Sequence, residues 1–250
     1  MMRAGDYDRD PESGLLLPRR EMRAAPQWMG GPAFFGGGGV VGPTKINMLF
    51  EAGNNTQTFT DTGAAGLTWT ASGGSVITST AHIISGVSSL QCGTANTAYL
   101  SAPTNSLGRL PPAADFSLKF SYFATSVLSA ASTAATPVSL ADAGLTGAGS
   151  QFMCTVNSTG QWAFYYSDGT TLTLVNPSTT NAIANADTAM EFKRVGTTLT
   201  LLQNGSAAAS VTFSGSFPAV TGTWRVGCPN FNSTRGFANG MYFDNFTLTY

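Results

Sequence analysis

Charge is scarce in this sequence, and so are the residues that most often carry chemistry. Its 250 residues include 12 Lys and Arg, 13 Asp and Glu, one His and three Cys. The net charge of −1 leaves no basic footprint for nucleic acid or for an anionic membrane surface. No apolar run reaches the roughly 18 residues of a membrane-spanning helix. The opening stretch Met1–Ser13 is polar and charged with no apolar segment behind it, so a secretory signal peptide is not expected. Cys92, Cys154 and Cys228 are far apart and form no CxxC pair. They read as buried thiols in a protein made in a reducing compartment, with one disulfide and a leftover thiol as the alternative.

What charge there is sits unevenly. Residues 1–45 hold 11 of the 25 charged groups, leaving 14 for the remaining 205 residues. A free soluble domain carries about a quarter of its residues charged. The body therefore presents Thr, Ser, Asn, Gly and Ala, a surface with few ions to desolvate on packing against other subunits. Residues 1–44 read as an extended, mostly irregular N-terminal arm, with one or two helical turns at most around Leu15–Arg23. Beyond them the Gly and Pro content, including four consecutive glycines at 36–39, disfavours any regular element. Burial of Trp28, Phe34 and Phe35 would be worth roughly 1.5–3 kcal/mol each. Together with Arg19 and Arg20 they mark the arm as an anchor that orders on a partner; a tail folding back on its own domain is the competing reading.

From residue 45 to 250 the texture is that of short strands. Phe116, Leu118, Phe120 and Tyr122 alternate with Ser117, Lys119 and Ser121, and Trp162, Phe164 and Tyr166 do the same. Asp168-Gly169 predicts a tight hairpin into Leu172 and Leu174, and Asn204-Gly205 a turn into Val211 and Phe213. Met190–Val195, Leu199–Gln203, Trp224–Gly227 and Met241–Tyr250 complete the clear strands, and 124–150 reads as a long loop carrying one strand at Val138–Leu140. Strands recurring at short intervals with no amphipathic helix between them predict an all-β, two-sheet antiparallel sandwich.

The order of these pieces resembles a known family. Met48-Leu49-Phe50-Glu51 with Thr58–Gly63, then Trp69–Gly73, Gly86–Leu90, Asp115–Phe120, Met190–Arg194 with Leu199–Gly205, and finally Met241–Leu248, follow the run of motifs in concanavalin A-like, laminin-G-like jelly-roll domains of tailed-bacteriophage virions. The resemblance implies a jelly-roll sandwich, synthesis in a host cytoplasm and a place in the virion. On that basis the chain is expected to be a non-enzymatic structural component, a head decoration or a tail or fibre protein. Its partners would be other virion proteins, and it would form a homo-oligomer such as a trimer. The alternative is a carbohydrate-binding, lectin-like module for host-surface attachment, and a weaker third is a secreted polysaccharide-active enzyme.

Motifs for chemistry are missing. Glycosidases on such a fold place two carboxylates about 5–9.5 Å apart, yet no two of the body's Asp and Glu stand at i, i+2. His82 has no G-x-S-x-G or cysteine signature beside it and reads as a solvated or hydrogen-bonded side chain. No catalytic residue, metal ligand set or cofactor is expected. Calcium, which some family members bind through loop oxygens, would have Asp61, Asn54, Asp168 and Asn232 as its candidates. For a carbohydrate ligand the candidates are Tyr165, which points opposite Trp162, Phe164 and Tyr166, and Phe231, Asn232 and Arg235 in the loop before the last strand. Five N-x-S/T sequons, at Asn54, Asn157, Asn204, Asn232 and Asn245, read as turn composition.

Overall fold

The computed structural model describes strand backbone at 7–9 and 16–18, and residues 42–250 apart from 52, 73–75, 93–98, 126–134, 143, 145, 176–178, 221 and 228–240. Contacts divide the chain into two units, Met1–Phe34 and Phe35–Tyr250. In the first, β1 (Tyr7–Arg9) pairs antiparallel with β2 (Leu16–Pro18), Asp8 opposite Leu17. The helical turn expected near Leu15 is thus replaced by a strand at Leu16–Pro18. Pro18 sits at the end of that strand, where a missing N–H costs least. Arg19, Arg20, Trp28, Phe34 and Phe35 lie outside the described residues.

The second unit is the expected sandwich, and among the described residues it contains no helix. One sheet runs, in spatial order, β13 (Leu172–Val175), β12 (Trp162–Ser167), β11 (Phe152–Val156), β10 (Ala135–Ala141), β17 (Thr223–Val226), β8 (Tyr99–Pro103), β5 (Thr68–Ser72) and β4 (Thr58–Thr60). The other runs β16 (Ser206–Thr212), β15 (Thr198–Gln203), β14 (Thr188–Val195), β9 (Phe116–Ala124), β18 (Met241–Thr249), β7 (Ser89–Cys92) and β6 (Ile77–Ser79). The eighth strand of that sheet, β3 (Thr44–Met48), also pairs with β18. Every pairing among the described strands is antiparallel, so each sheet buries one face and leaves the other for polar residues. The inward faces meet in an aromatic core. Phe246 of β18 receives Trp69 and Trp224 edge-on, each with ring centroids 5.4 Å away. Trp162 crosses between the sheets to donate its indole N–H to Gln203 Oε1 at 2.6 Å.

Two local features depart from the tight turns and plain alternation of the sequence. The Asp168-Gly169 hairpin forms, with Ser167 opposite Leu172 and the Asp168 N–H on Thr171 O at 3.4 Å. Only Gly169 of the pair takes a positive φ (92°), while Asp168 Oδ1 accepts the N–H groups of Thr170 and Thr171 at 2.8 Å each. In β18, Asn245 takes a φ of 53° and the register with β9 slips between Asp244 and Thr247. That bulge divides the other edge of β18, whose residues 241–243 pair with β7 and 246–249 with β3. Asn204, at φ 49°, makes the turn its Asn-Gly sequence requires. Cys92 and Cys154 are buried thiols, and Cys228 lies outside the described residues.

Candidate functional site

A cleft of about 420 Å³ opens where the edges of the two sheets come together. One wall is β3 and its continuation, Asn47 to Glu51, and the other is β4 with Thr62. The Thr58-Phe59-Thr60 alternation turns Phe59 inward and leaves both threonines exposed. The next loop stitches the walls together. Thr62 N–H bonds to Asn47 O at 3.0 Å and Ala65 N–H to Lys45 O at 2.8 Å, extending the free edge of β3. Gly63 is required there, since a Cβ would stand 2.4 Å from Lys45 O. Buried Asp61 closes the loop by accepting the N–H groups of Gly63 and Leu67. Its burial holds the carboxyl above the usual range despite those bonds. Asn47 Nδ2 donates to Thr62 Oγ1 at 2.7 Å, leaving Asn47 Oδ1 without a protein partner among the described residues.

The rim is held in an unusual conformation. Phe50 is buried with φ at 53°, a region that costs a bulky side chain on the order of 1–3 kcal/mol. Two contacts keep it there: Ser88 Oγ donates to Phe50 O at 2.5 Å, and the ring meets Phe59 edge-on with centroids 5.6 Å apart. The turn of the chain at Phe50 sets Leu49, 42% exposed, and Glu51 at the mouth. Glu51 Oε2 accepts the N–H of Val87 at 2.6 Å. The carboxylate lies over Gly86, whose φ is +63° and whose Cβ would fall 1.6 Å from Oε1.

Gly86→Ala is therefore expected to cost about 1–2 kcal/mol from the left-handed backbone alone, plus the displacement of the carboxylate from Val87. Urea midpoints of this variant in wild-type and Glu51→Ala backgrounds separate the two contributions. The penalty should be smaller in the second; equal penalties would mean that the carboxylate is not seated over Gly86.

The segment from Thr80 to Ser88 packs over the outer face of the second sheet beside this rim. His82 stacks on Phe123 with centroids 3.6 Å apart and bonds Asp187 Oδ1 at 2.6 Å, matching the expectation of a hydrogen-bonded histidine. Farther along, Ser85 and Ser89 hydroxyls donate to the fully buried Asp244.

The described residues among those singled out from sequence do not gather at the cleft. Tyr165 is half-buried on β12, cross-strand from Met153 and Leu174. It lies six strand positions from β4, on the order of 29 Å at the usual spacing. Phe231, Asn232 and Arg235 lie outside the described residues. The calcium candidates serve separate turns: Asp61 as above, Asn54 Oδ1 accepting Thr80 N–H at 2.9 Å, and Asp168 in its own loop. No group of three or more His, Cys, Asp or Glu converges among the described residues. Sequence reasoning touched Glu51 only as part of a family-like run. The signals that point to the rim, a left-handed Phe50 and a carboxylate bound 36 residues away, have no sequence mark.

Among the described residues the cleft lining contains one carboxylate and no His, Cys, Ser, Lys or Arg. It offers no nucleophile with a base beside it and no carboxylate pair, whereas amide, hydroxyl and apolar groups converge. No protein-family model and no curated protein matches the sequence. The fold does have solved likenesses. The binding domain of Paraclostridial mosquitocidal protein 1 matches with a TM-score of 0.62 at 9% identity, over 83% of this chain and 48% of that one. The botulinum neurotoxin serotype D/C binding domain gives 0.59 at 10% identity, over 83% and 48%. A structure of botulinum neurotoxin type C, whose cell entry is described as dependent on interaction with two ganglioside molecules, gives 0.58 at 10% identity, over 83% and 48%. At such identity the likeness establishes a jelly-roll-like sandwich. The first two of these neighbours are binding rather than catalytic domains, and the chain spans just under half the length of all three.

Proposed function

We propose that this chain is a non-catalytic, lectin-like binding module that engages a surface glycan through the edge cleft. The observation that carries the reading is the cleft itself: Asn47, Thr58, Thr60 and Glu51 supply hydroxyl, amide and carboxylate groups around an apolar floor of Met48, Phe50 and Phe59. Carbohydrates need that mixture, since each sugar presents a ring of hydroxyls and a patch of C–H. The strained backbone at Phe50 supports it, because such strain collects where a ligand must be clamped. Likeness to toxin binding domains favours a receptor or glycan ligand over a reaction. A second reading, attachment to a virion through residues 1–44, is favoured by the concentration of 11 charges in the first 45 residues, and it is compatible with a displayed binding body.

A glycan array probed with the full chain tests the proposal. The expected result is selective binding that Asn47→Ala weakens at least tenfold while the thermal melt stays cooperative. An array with no ligand, or binding untouched by Asn47→Ala and by Thr58→Val, would remove the cleft from consideration.

A further inference from the structure

We infer that the cleft discriminates by charge, accepting uncharged glycans and excluding acidic ones, with Glu51 as the selecting residue. This rests on the glycan-binding reading above and adds the ligand class. Among the described residues Glu51 is the one ionisable side chain in the lining, and no Lys, Arg or His faces it there. An acidic sugar, whether it carries a carboxylate or a sulfate, needs a cation or several N–H donors to replace its lost water. The cleft does not supply them. The Val87 N–H is already taken by Glu51 Oε2, the Thr62 N–H by Asn47 O, and one of the two Asn47 amide N–H groups by Thr62 Oγ1, so a single side-chain N–H is left there. Lys45, at the far end of β3, lies over the Tyr250 ring at 4.7 Å.

The repulsion cannot be relieved by swinging Glu51 aside without loss. Its carboxylate is seated against the Gly86-Val87 turn, where the absent side chain of Gly86 makes the room. Two like charges about 4 Å apart repel enough to lower affinity by roughly fivefold under full water screening and by up to about a thousandfold at the effective dielectric of a protein surface. The same carboxylate rewards a neutral sugar, because an ionised Glu accepts hydroxyl donors on its remaining lone pairs, and vicinal hydroxyls present two in register. Leu49, exposed beside it, offers an apolar surface to the C–H side of the ring.

The test is biolayer interferometry of the full chain on matched pairs of immobilised glycans, each neutral oligosaccharide set beside its sialylated and sulfated forms. Wild type, Glu51→Gln and Thr60→Lys are compared. Glutamine keeps an oxygen for Val87 N–H, and Thr60 is exposed, so both variants should melt as the wild type does. The expected result is at least tenfold weaker binding of the acidic forms by wild type. Glu51→Gln should narrow that gap to within about threefold, and Thr60→Lys should reverse it. Equal or tighter binding of acidic glycans by wild type overturns the charge selection while leaving glycan binding intact, as does discrimination that Glu51→Gln does not change. Binding of no glycan by any of the three proteins overturns both readings.

Discussion

Phe192→Ala is expected to destabilise the sandwich by about 3–5 kcal/mol, the largest loss from any single side chain considered. Phe192 is fully buried at the middle of β14, and its ring stacks on Phe152 of the opposite sheet with centroids 4.0 Å apart and planes 15° from parallel. Phe164 meets it at 5.1 Å and Phe116 at 5.4 Å, both tilted. One ring thus joins two strands of one sheet to two of the other. Truncation removes its transfer free energy and leaves a cavity bounded by three rigid rings, which sit in β-strands and cannot collapse inward. For a body of this size each kcal/mol moves the midpoint by roughly 2–4 °C, so the melting temperature should fall by about 10 °C. Phe192→Leu, which refills much of the volume, should lose no more than about 2 kcal/mol. Calorimetry of the two variants checks this, and similar small losses for both would mean that the sheets can close over the gap.

That keystone could be placed on a strand from sequence, but its partners could not. The alternation at Phe116–Tyr122, the aromatic triplet Trp162, Phe164 and Tyr166, and the Asn-Gly turn at 204–205 each declare a strand or a hairpin locally, because a period of two and a left-handed turn residue are local demands. The sandwich follows from their number and from the missing helices. Strands β4, β6, β7 and β8 are only three to five residues long and rich in Ser and Thr, so no period stands out in them. The cleft depends on one of these short elements, β4, and on its placement beside β3, which no local pattern encodes. Phe50 is the clearest case: an aromatic residue carries no preference for positive φ, and its conformation is imposed by Ser88 and Phe59. Arg194 is another. In the sequence it reads as part of a charged hairpin, yet it is buried. Its guanidinium donates to the carbonyls of Gly196, Pro112 and Gly215 at 2.8–3.1 Å and lies over the Phe213 ring at 5.2 Å, so backbone oxygens and an aromatic face satisfy the cation. Among the sequon asparagines, Asn54 and Asn204 sit in turns and Asn157 Oδ1 accepts the Thr159 and Gln161 N–H groups of another, whereas Asn245 lies within β18 at its bulge and Asn232 falls outside the described residues.

The bulge brings with it the second large expectation, a pH dependence with an unusual sign. Asp244, next to Asn245, is fully buried. Its Oδ2 accepts the Ser85 N–H at 3.1 Å and the hydroxyls of Ser85 and Ser89 at 3.0 and 3.3 Å, while Oδ1 accepts the Asn245 N–H at 2.8 Å. No cation pairs with it among the described residues. Burial pushes its pKa up to about 6, and the four hydrogen bonds only partly offset that rise. In the unfolded chain the same carboxyl titrates near 3.9, so between about pH 4 and pH 6 the folded state holds the extra proton. Stability from this group is therefore complete at low pH, falls as pH rises through that window, and is flat above it. About two pK units correspond to roughly 3 kcal/mol. Asp244→Asn removes the titration while keeping an oxygen for an N–H donor, and its amide can donate to the serine hydroxyls, which rotate to accept. The stability of the Asn variant relative to wild type should thus climb by about 3 kcal/mol between pH 4 and pH 7. Contributions from Asp61, also raised by burial, and from Asp168, lowered by its turn, are common to both proteins and cancel in the difference. Asp244→Ala also lacks the titrating carboxyl, so its curve should run parallel to that of the Asn variant but lower by about 1–3 kcal/mol, because it strands the Ser85 and Asn245 N–H groups. Urea denaturation at half-unit pH steps measures all three. Parallel curves for wild type and Asp244→Asn would show that the carboxyl stays solvated in the folded protein, and that residues 80–88 do not seal it against the sheet.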